Sequence, residues 1–442
     1  MSRVAVLGGG LAGLAAAAAL SSSGFEVDLY ESRAFLGGRA TSWPIGGEAG
    51  ETVAASQIID NCQHVLLRCC VNLLDLYRRL GVEDKIRFHR EFLFIEPGGR
   101  TSIMKRGILP APAHFAGSFL RLKYLGLADK IAIARAMNAI PRERFRPDLD
   151  RISMLQWLQE KRQTPLAIER YWRPVLVSAI NEELDAMAAS HGFQVFWLGM
   201  IARADAYEMG LPEVPLRDLY DDKALGSRVR LHPRAAVTAI HTEGDCVVGF
   251  EAGGERHQAD AYVSALSFER LKPLLPELPI DWQAFGHSPI TGIHLWFDRP
   301  ITDVPHATLL DRTIQWFFNK REGRYVQLVV SASRSLTDMT RNEIIALAVR
   351  ELAEFFPAVS GAKLEKAHVI KEVRATFSAR PGLEQLRPVS VTALQNFFLA
   401  GDWTRSGWPA TMEGAVRSGY LAAEAVTHEA GAPRRFLLPD VA

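Results

Sequence analysis

Four cysteines in 442 residues (Cys62, Cys69, Cys70 and Cys246) are too few for a disulfide framework, and no Cys-x-x-Cys occurs. Cys69 and Cys70 read as small buried hydrophobes in a reducing compartment. Charge of one sign is also missing. The chain has 51 Lys and Arg against 50 Asp and Glu, a formal net charge of +1, without the basic excess of a general nucleic-acid binder. The 34 Gly and 23 Pro are near average usage, which excludes collagen-like and disordered classes. Metal-ligand spacing and internal repeats are absent. Long apolar runs are scarce too. The uncharged stretch Val4–Leu20 superficially resembles a signal peptide, but Gly8, Gly9, Gly10 and Gly13 punctuate it and an alternating strand pattern follows at Phe25–Tyr30. No other stretch approaches the length of a membrane span. These absences leave a cytoplasmic globular protein with ample core and, at roughly 150 residues per domain, two or three domains.

What is present begins with Arg3–Leu7, a short buried strand, and Leu11–Ser22, an Ala-rich helix. Between them lies Gly8-x-Gly10-x-x-Gly13. The first glycine permits the turn, the second lets backbone approach a pyrophosphate, and the third lets helix pack on strand. The helix N-terminus offers free N–H groups and a positive dipole end to the phosphates. The next strand ends in Glu31, eighteen positions after Gly13, where an acid can accept hydrogen bonds from ribose hydroxyls. Gly37-Gly38-Arg39 follows, able to lay backbone and guanidinium against the same diphosphate. Far along the chain, Phe397–Asp402 reads as a strand entering a Gly401-Asp402 turn, and Thr411–Gly419 opens a helix. A carboxylate there suits a ribityl hydroxyl, and the helix N-terminus suits the electron-rich edge of a flavin. The spacing therefore predicts a cofactor gripped by segments distant in sequence.

These motifs resemble the flavin amine oxidase and carotenoid desaturase superfamily. Val229–Leu231 with Ala236–Ile240 is similar to its strand pair whose valine, here Val237, meets the adenine, and Asp260–Ala265 to its returning strand. The resemblance implies FAD held by Gly8, Gly10, Ala12, Gly13, Glu31, Ser32, Gly37, Gly38, Arg39, Val237, Gly401, Asp402, Thr411, Met412 and Ala415. It implies an α/β fold: a discontinuous Rossmann-like FAD-binding domain (1–59, 228–271, 391–430) with an inserted mixed α+β substrate domain (60–227, 272–390). The tail, 431–442, is expected to fray from Ala430 unless Phe436-Leu437-Leu438 docks.

Two further segments, Ile59–Leu67 and Arg170–Leu176, resemble the hydroxysqualene dehydroxylases of bacterial squalene and hopanoid biosynthesis. That resemblance implies reductive removal of an allylic hydroxyl from a long apolar isoprenoid. The hydroxyl would leave with help from a general acid or ordered water, and hydride from reduced FAD would take its place. Allylic delocalisation makes the departure feasible, so a saturated alcohol is expected not to react. With one dinucleotide fingerprint in the chain, electrons are expected from an external donor or reductase.

Neighbouring activities are weighed against this. Amine oxidases of the superfamily carry an aromatic residue directly before the Met-Glu-Gly-Ala run, where this chain has Thr411, with Trp408 displaced. Carotenoid desaturases share the long apolar substrate and Met412–Ala415. Prenyl-protein escort proteins would leave the glycines and Asp402 without a task.

Asp60 and His64 stand four positions apart, as one helical turn would place a pair able to protonate a leaving hydroxyl; a purely structural role is the simpler reading. Cys62 has no base partner in sequence and Trp172 reads as core. Phe115, Phe119 and Leu122 suggest an amphipathic helix. Residues 100–146 hold ten Lys and Arg and two acids, Asp129 and Glu143, a local charge of +8. Such a surface suits peripheral contact with the anionic inner face of a membrane, or is simply a solvated helix face.

Overall fold

The computed structural model describes residues 3–45, 57–220 and 225–441. Positions 46–56 of the first expected cofactor segment and 221–224 of the substrate segment lie outside the described residues.

The nucleotide-type half is built from β1 (Arg3–Leu7), α1 (Leu11–Ser22), β2 (Glu26–Glu31), β3 (Val229–Pro233), β4 (Ala261–Ser264), β5 (Phe397–Leu399) and α2 (Met412–Glu429). The five strands form one parallel sheet in the order β3-β2-β1-β4-β5. Three stretches of chain thus meet in a single parallel sheet, with α1 and α2 on one face and a three-stranded antiparallel sheet (237–243, 246–252, 255–257) on the other, and its carboxyl ends are the ligand edge of such Rossmann-like sheets. Every residue from Leu11 to Leu20 is buried, because α1 is covered by the sheet and by α2 together. Small side chains make that possible. A Cβ on Gly419 of α2 would stand 2.2 Å from the Ala12 carbonyl oxygen of α1.

The other half centres on a seven-stranded mixed sheet in the order 364–377, 287–297, 325–331, 316–321, 306–309, 91–95, 101–105. Strands from before residue 106 and after residue 286 share it, so the two stretches fold as one layer. Alternation turns Ile293, Leu295, Val326, Leu328 and Val330 onto the helix Arg341–Phe355, which is started by a reciprocal Thr340–Glu343 cap. The opposite face looks toward the hairpin Ser42–Ile45/Gln57–Asp60 and a mainly helical region between residues 113 and 219.

Three local expectations change. The helix anticipated through Phe115, Phe119 and Leu122 is only Ala116–Leu120; the chain then turns, and the long helix is Leu127–Glu143. Leu122 and Leu125 are buried from irregular backbone, so their spacing matched a helix without forming one. Asp60 closes a strand and 61–65 is irregular, so no helical turn joins Asp60 to His64. The tail does not fray. Phe436 is buried, its N–H and that of Leu437 donate to Glu424 Oε1 at 2.7 and 2.8 Å, and Asp440 pairs with Arg417 at 2.9 Å.

Among the described residues no helix is long and apolar enough to cross a membrane.

Candidate functional site

The glycine-rich loop joins β1 to α1 at the carboxyl edge of the parallel sheet. Gly8 has φ +112°, and a Cβ on Gly13 would lie 1.9 Å from the Gly8 carbonyl oxygen, so the turn and the helix packing both demand glycine. At Gly10 a Cβ would meet only the Gly38 Cα, at 3.8 Å, and no side chain caps the helix that starts there. Its first turn carries no acid. The first-turn N–H groups of Leu11, Ala12 and Gly13 and the positive dipole end, left uncapped by any side chain, are thus available to a bound diphosphate. The second glycine motif completes this cradle: the Gly37 N–H donates to the Gly9 carbonyl at 2.9 Å and Gly38, at φ +61°, stacks its backbone on Gly10.

Glu31 ends β2 beside the loop. Its Oε2 accepts from the Gly9 N–H at 2.8 Å, and its Oε1 from the Arg33 N–H at 2.8 Å and the Ser32 hydroxyl at 3.0 Å. A carboxylate has about four lone-pair directions, so acceptor capacity remains for a ribose hydroxyl. The chain leaving β3 runs past this point, with the Ala235 N–H on the Glu31 carbonyl at 2.9 Å, and brings Val237 to the start of the next strand.

Asp402 follows Gly401, which has φ +133°. Its Oδ1 pairs with Arg39 at 2.5 Å, and the Arg39 guanidinium also donates to the Ala375 carbonyl at 2.8 Å. Arg387, which sequence reading passed over, is buried behind this turn and donates to the backbone carbonyls of Asp402, Trp403 and Thr404. Only the fold reveals it, because nothing in the sequence around Arg387 links it to residue 402. At the start of α2, Thr411 Oγ1 accepts from the Gly414 N–H at 3.0 Å as the N-cap. Thr411, Met412 and Ala415 share a part-exposed face there, while Glu413, Gly414 and Val416 turn inward.

Glu413 was also missed as an individual. Its carboxylate accepts from the Leu73 N–H at 2.7 Å and from the Asn72 side chain at 2.8 Å, capping the helix Val71–Arg79 from outside. Burial pushes its pKa up to about 7.

The sequence profile of flavin-containing amine oxidoreductases matches residues 11–427, nearly the whole chain. The chain belongs to that family. FAD is its cofactor, and the glycine cradle, the Glu31 edge and the Asp402 turn fit it. Among curated relatives, a zeta-carotene desaturase of Synechocystis is 26% identical over 96% of this chain and 97% of its own length. A 15-cis-phytoene desaturase of Synechococcus elongatus is 28% identical over 96% and 95%. Among solved structures, an oxidoreductase from Methanosarcina mazei superposes with a TM-score of 0.71 at 17% identity, covering 94% of this chain and 98% of that one. Putrescine oxidase does so at 0.70 and 16%, covering 97% and 99%. At such identities the structures show a shared fold. The protein is thus an FAD-dependent oxidoreductase of the superfamily that holds amine oxidases and carotenoid desaturases.

On the substrate side of this oxidoreductase, the expected proton-donating pair is not formed. Asp60 Oδ1 accepts from the Ser42 hydroxyl at 2.8 Å and the Leu216 N–H at 3.0 Å, and its Oδ2 lies 3.5 Å from Lys320 Nζ. His64 Nδ1 instead meets the Cys62 carbonyl at 3.0 Å, and burial lowers its pKa. The Cys62 thiol is pushed up to about 12 by burial, which makes it inert as a nucleophile.

The rest of the run is placed usefully. Asn61 Nδ2 donates to the Arg39 carbonyl, while Cys62 packs with Phe318 and Val329 on the face of the seven-stranded sheet opposite the helix Arg341–Phe355. Trp408 is turned away, donating from Nε1 to Asp440 at 3.0 Å. Arg170 ties Asp311 and Glu96 together at 2.5 and 3.1 Å, and Trp172 is buried with Nε1 on Gln163 at 2.8 Å. That segment serves packing.

Proposed function

We propose that this protein is a hydroxysqualene dehydroxylase, reducing an allylic isoprenoid alcohol to the hydrocarbon with release of water. One observation carries the reading. The run Ile59–Leu67, which resembles that enzyme group, forms the stretch between the FAD cradle and the apolar wall of the sheet. Asn61 holds the Arg39 backbone at one end, and Cys62 and Val65 enter the cluster with Phe318 and Val329 at the other. When bound and reduced by the external donor, FAD would supply the hydride and end oxidised, and the chain's own residues hold the substrate, exclude water and orient it. Amine oxidation is disfavoured, since Thr411 caps a helix and Trp408 engages the tail.

A second reading, desaturation of a carotenoid precursor, is favoured by the relatives' names and by the same apolar wall. Incubating the FAD-loaded protein with hydroxysqualene and a chemical reductant, then extracting products, separates the two. Squalene is the expected product. Recovery of unreacted alcohol, with desaturation of phytoene by the same preparation under oxidising conditions, would transfer the assignment.

The reading extends to where the substrate comes from. Ile108, Leu109, Leu120, Leu127, Ile131 and Phe145 are all exposed, Ile108 fully, and all lie in the segment carrying the +8 charge. Arg106, Arg121, Lys123 and Lys130 of that segment form no ion pair among the described residues. Exposed apolar residues interspersed along the segment with cations outside any ion pair suit the surface of an anionic bilayer, the store of a thirty-carbon hydrocarbon. Peripheral attachment on the cytoplasmic face and reduction by an external electron donor belong to the same proposal.

A further inference from the structure

A long hydrocarbon carrying one hydroxyl poses a specific recognition problem: nearly all of its contacts are apolar, and a single polar contact must fix its register. The face of the seven-stranded sheet opposite the helix Arg341–Phe355 contains an arrangement of that kind. His294 and Gln327 stand directly opposite each other in the antiparallel pair 287–297/325–331, with Phe318 opposite Gln327 on the next strand. Both are completely buried. Because Val326 and Leu328 face the helix Arg341–Phe355, Gln327 faces the other way, toward the side that packs Ile59, Cys62 and Phe318.

Among the described residues neither Oε1 nor Nε2 of Gln327 has a hydrogen-bond partner. The His294 Nδ1 meets the Tyr325 hydroxyl at 2.8 Å, and a weak hydrogen bond to the Asp60 backbone carbonyl partly opposes the burial that lowers the ring's pKa; among the described residues its Nε2 has no partner at full hydrogen-bond geometry. Buried amide and imidazole groups left without partners are costly, so such atoms mark either a water site or a ligand site.

The surroundings favour a ligand. Along the strands the polar pair is flanked on one side by the cluster of Trp296, Tyr325 and Ile59, and on the other by Cys62, Phe318 and Val329. The other polar groups beside it are His368, opposite His294 on the outer strand, and Lys320, which is engaged by Gln63 at 2.9 Å and Asp60 at 3.5 Å. The pair is also close to the cofactor cradle. A Cβ on Gly292 would stand 3.0 Å from the Asn61 carbonyl oxygen, and Asn61 in turn binds the Arg39 backbone. His294 is two residues further along the same face, about 7 Å of strand.

We propose that Gln327, with His294 Nε2, forms a subsite for the single hydroxyl of a mono-oxygenated isoprenoid, selecting the alcohol over an all-hydrocarbon polyene. This rests on the dehydroxylase reading and names its specificity element. With the Tyr325 O–H donating to Nδ1, the ring proton sits on Nε2, which donates to the substrate oxygen, and Gln327 Oε1 accepts the substrate O–H. Burial holds the His294 pKa down at about 3, so the ring stays neutral and serves as a fixed donor.

The test compares hydroxysqualene with squalene as ligands of the oxidised FAD-loaded protein, followed by the flavin absorbance change. The wild-type chain should bind the alcohol about tenfold more tightly than the hydrocarbon, as one added hydrogen-bonding pair implies. Gln327→Leu should abolish that preference while leaving squalene affinity and flavin content unchanged. Gln327→Met, with its more flexible side chain, should behave alike if the leucine variant does not fold. A preference retained in whichever variant folds would overturn the subsite, leaving a buried water site. A wild-type chain that does not discriminate would overturn it as well. A preference lost on substitution, in a protein that does not reduce the alcohol, would uphold the subsite and refute the dehydroxylation.

Discussion

Arg39 and Asp402 form an ion pair at 2.5 Å although 363 residues separate them in the chain. The pair ties the second glycine motif to the Gly-Asp turn, and the buried Arg387 holds that turn from behind through the Asp402 carbonyl at 2.9 Å. Two cofactor segments distant in sequence are thereby locked to each other by one carboxylate.

Asp402→Ala should therefore lower flavin content. Losing one charge-assisted hydrogen bond costs on the order of 1.5–3 kcal/mol, about a tenfold or greater loss in affinity. The absorbance ratio of flavin to protein after purification measures it, and full loading would show that this carboxylate neither contacts FAD nor orders its site.

The contact between α1 and α2 makes a prediction about stability alone. Gly419→Ala would drive a methyl to 2.2 Å from the Ala12 carbonyl oxygen, so the helices must separate. A cost of about 1–3 kcal/mol is expected for such overpacking, seen as a lower thermal midpoint. An unchanged midpoint would contradict the packing described.

Acid should destabilise the fold through its buried imidazoles. Burial lowers His191 and His294 to about 3 and His306 to about 4. In the unfolded chain each takes a proton near its ordinary 6.5, so between those values the unfolded state binds more protons. The stabilisation is complete above about pH 6.5 and is lost progressively as pH falls, to about 4 for His306 and to about 3 for His191 and His294. Denaturant titrations at pH 7, 6 and 5 should show declining stability, with a shallower decline for His306→Gln. Equal stability at pH 7 and 5 would speak against buried neutral histidines.

The exposed apolar and basic segment should bind anionic vesicles. Phosphatidylglycerol-containing vesicles should co-sediment the protein at low salt, and added salt or the double substitution Ile108→Asp, Leu109→Asp should release it. Release by salt with no effect of the double substitution would leave only nonspecific charge attraction.

The cofactor half was legible because its chemistry is local. Gly8, Gly10 and Gly13 sit between a strand and a helix in a spacing that a diphosphate dictates, and Glu31 follows at the end of the next strand. The substrate half was not, because its groups are assembled by sheet register. His294 and Gln327 become neighbours only through strand pairing, and Arg387 meets Asp402 only through a loop closing on itself. Asp60 and His64 misled for the complementary reason. A spacing of four residues pairs side chains only on a helix, and here a strand ends at Asp60. The seven-residue interval of Phe115 to Leu122 misled likewise, since burial at that spacing was met by a turn after Leu120.

Reaction direction is the central claim, and a single anaerobic turnover tests it most directly. The flavin is reduced chemically and the protein is mixed with hydroxysqualene while flavin absorbance is followed and products are extracted. Dehydroxylation requires reoxidation of the flavin with one squalene formed per flavin. Flavin that stays reduced and alcohol recovered intact would contradict it.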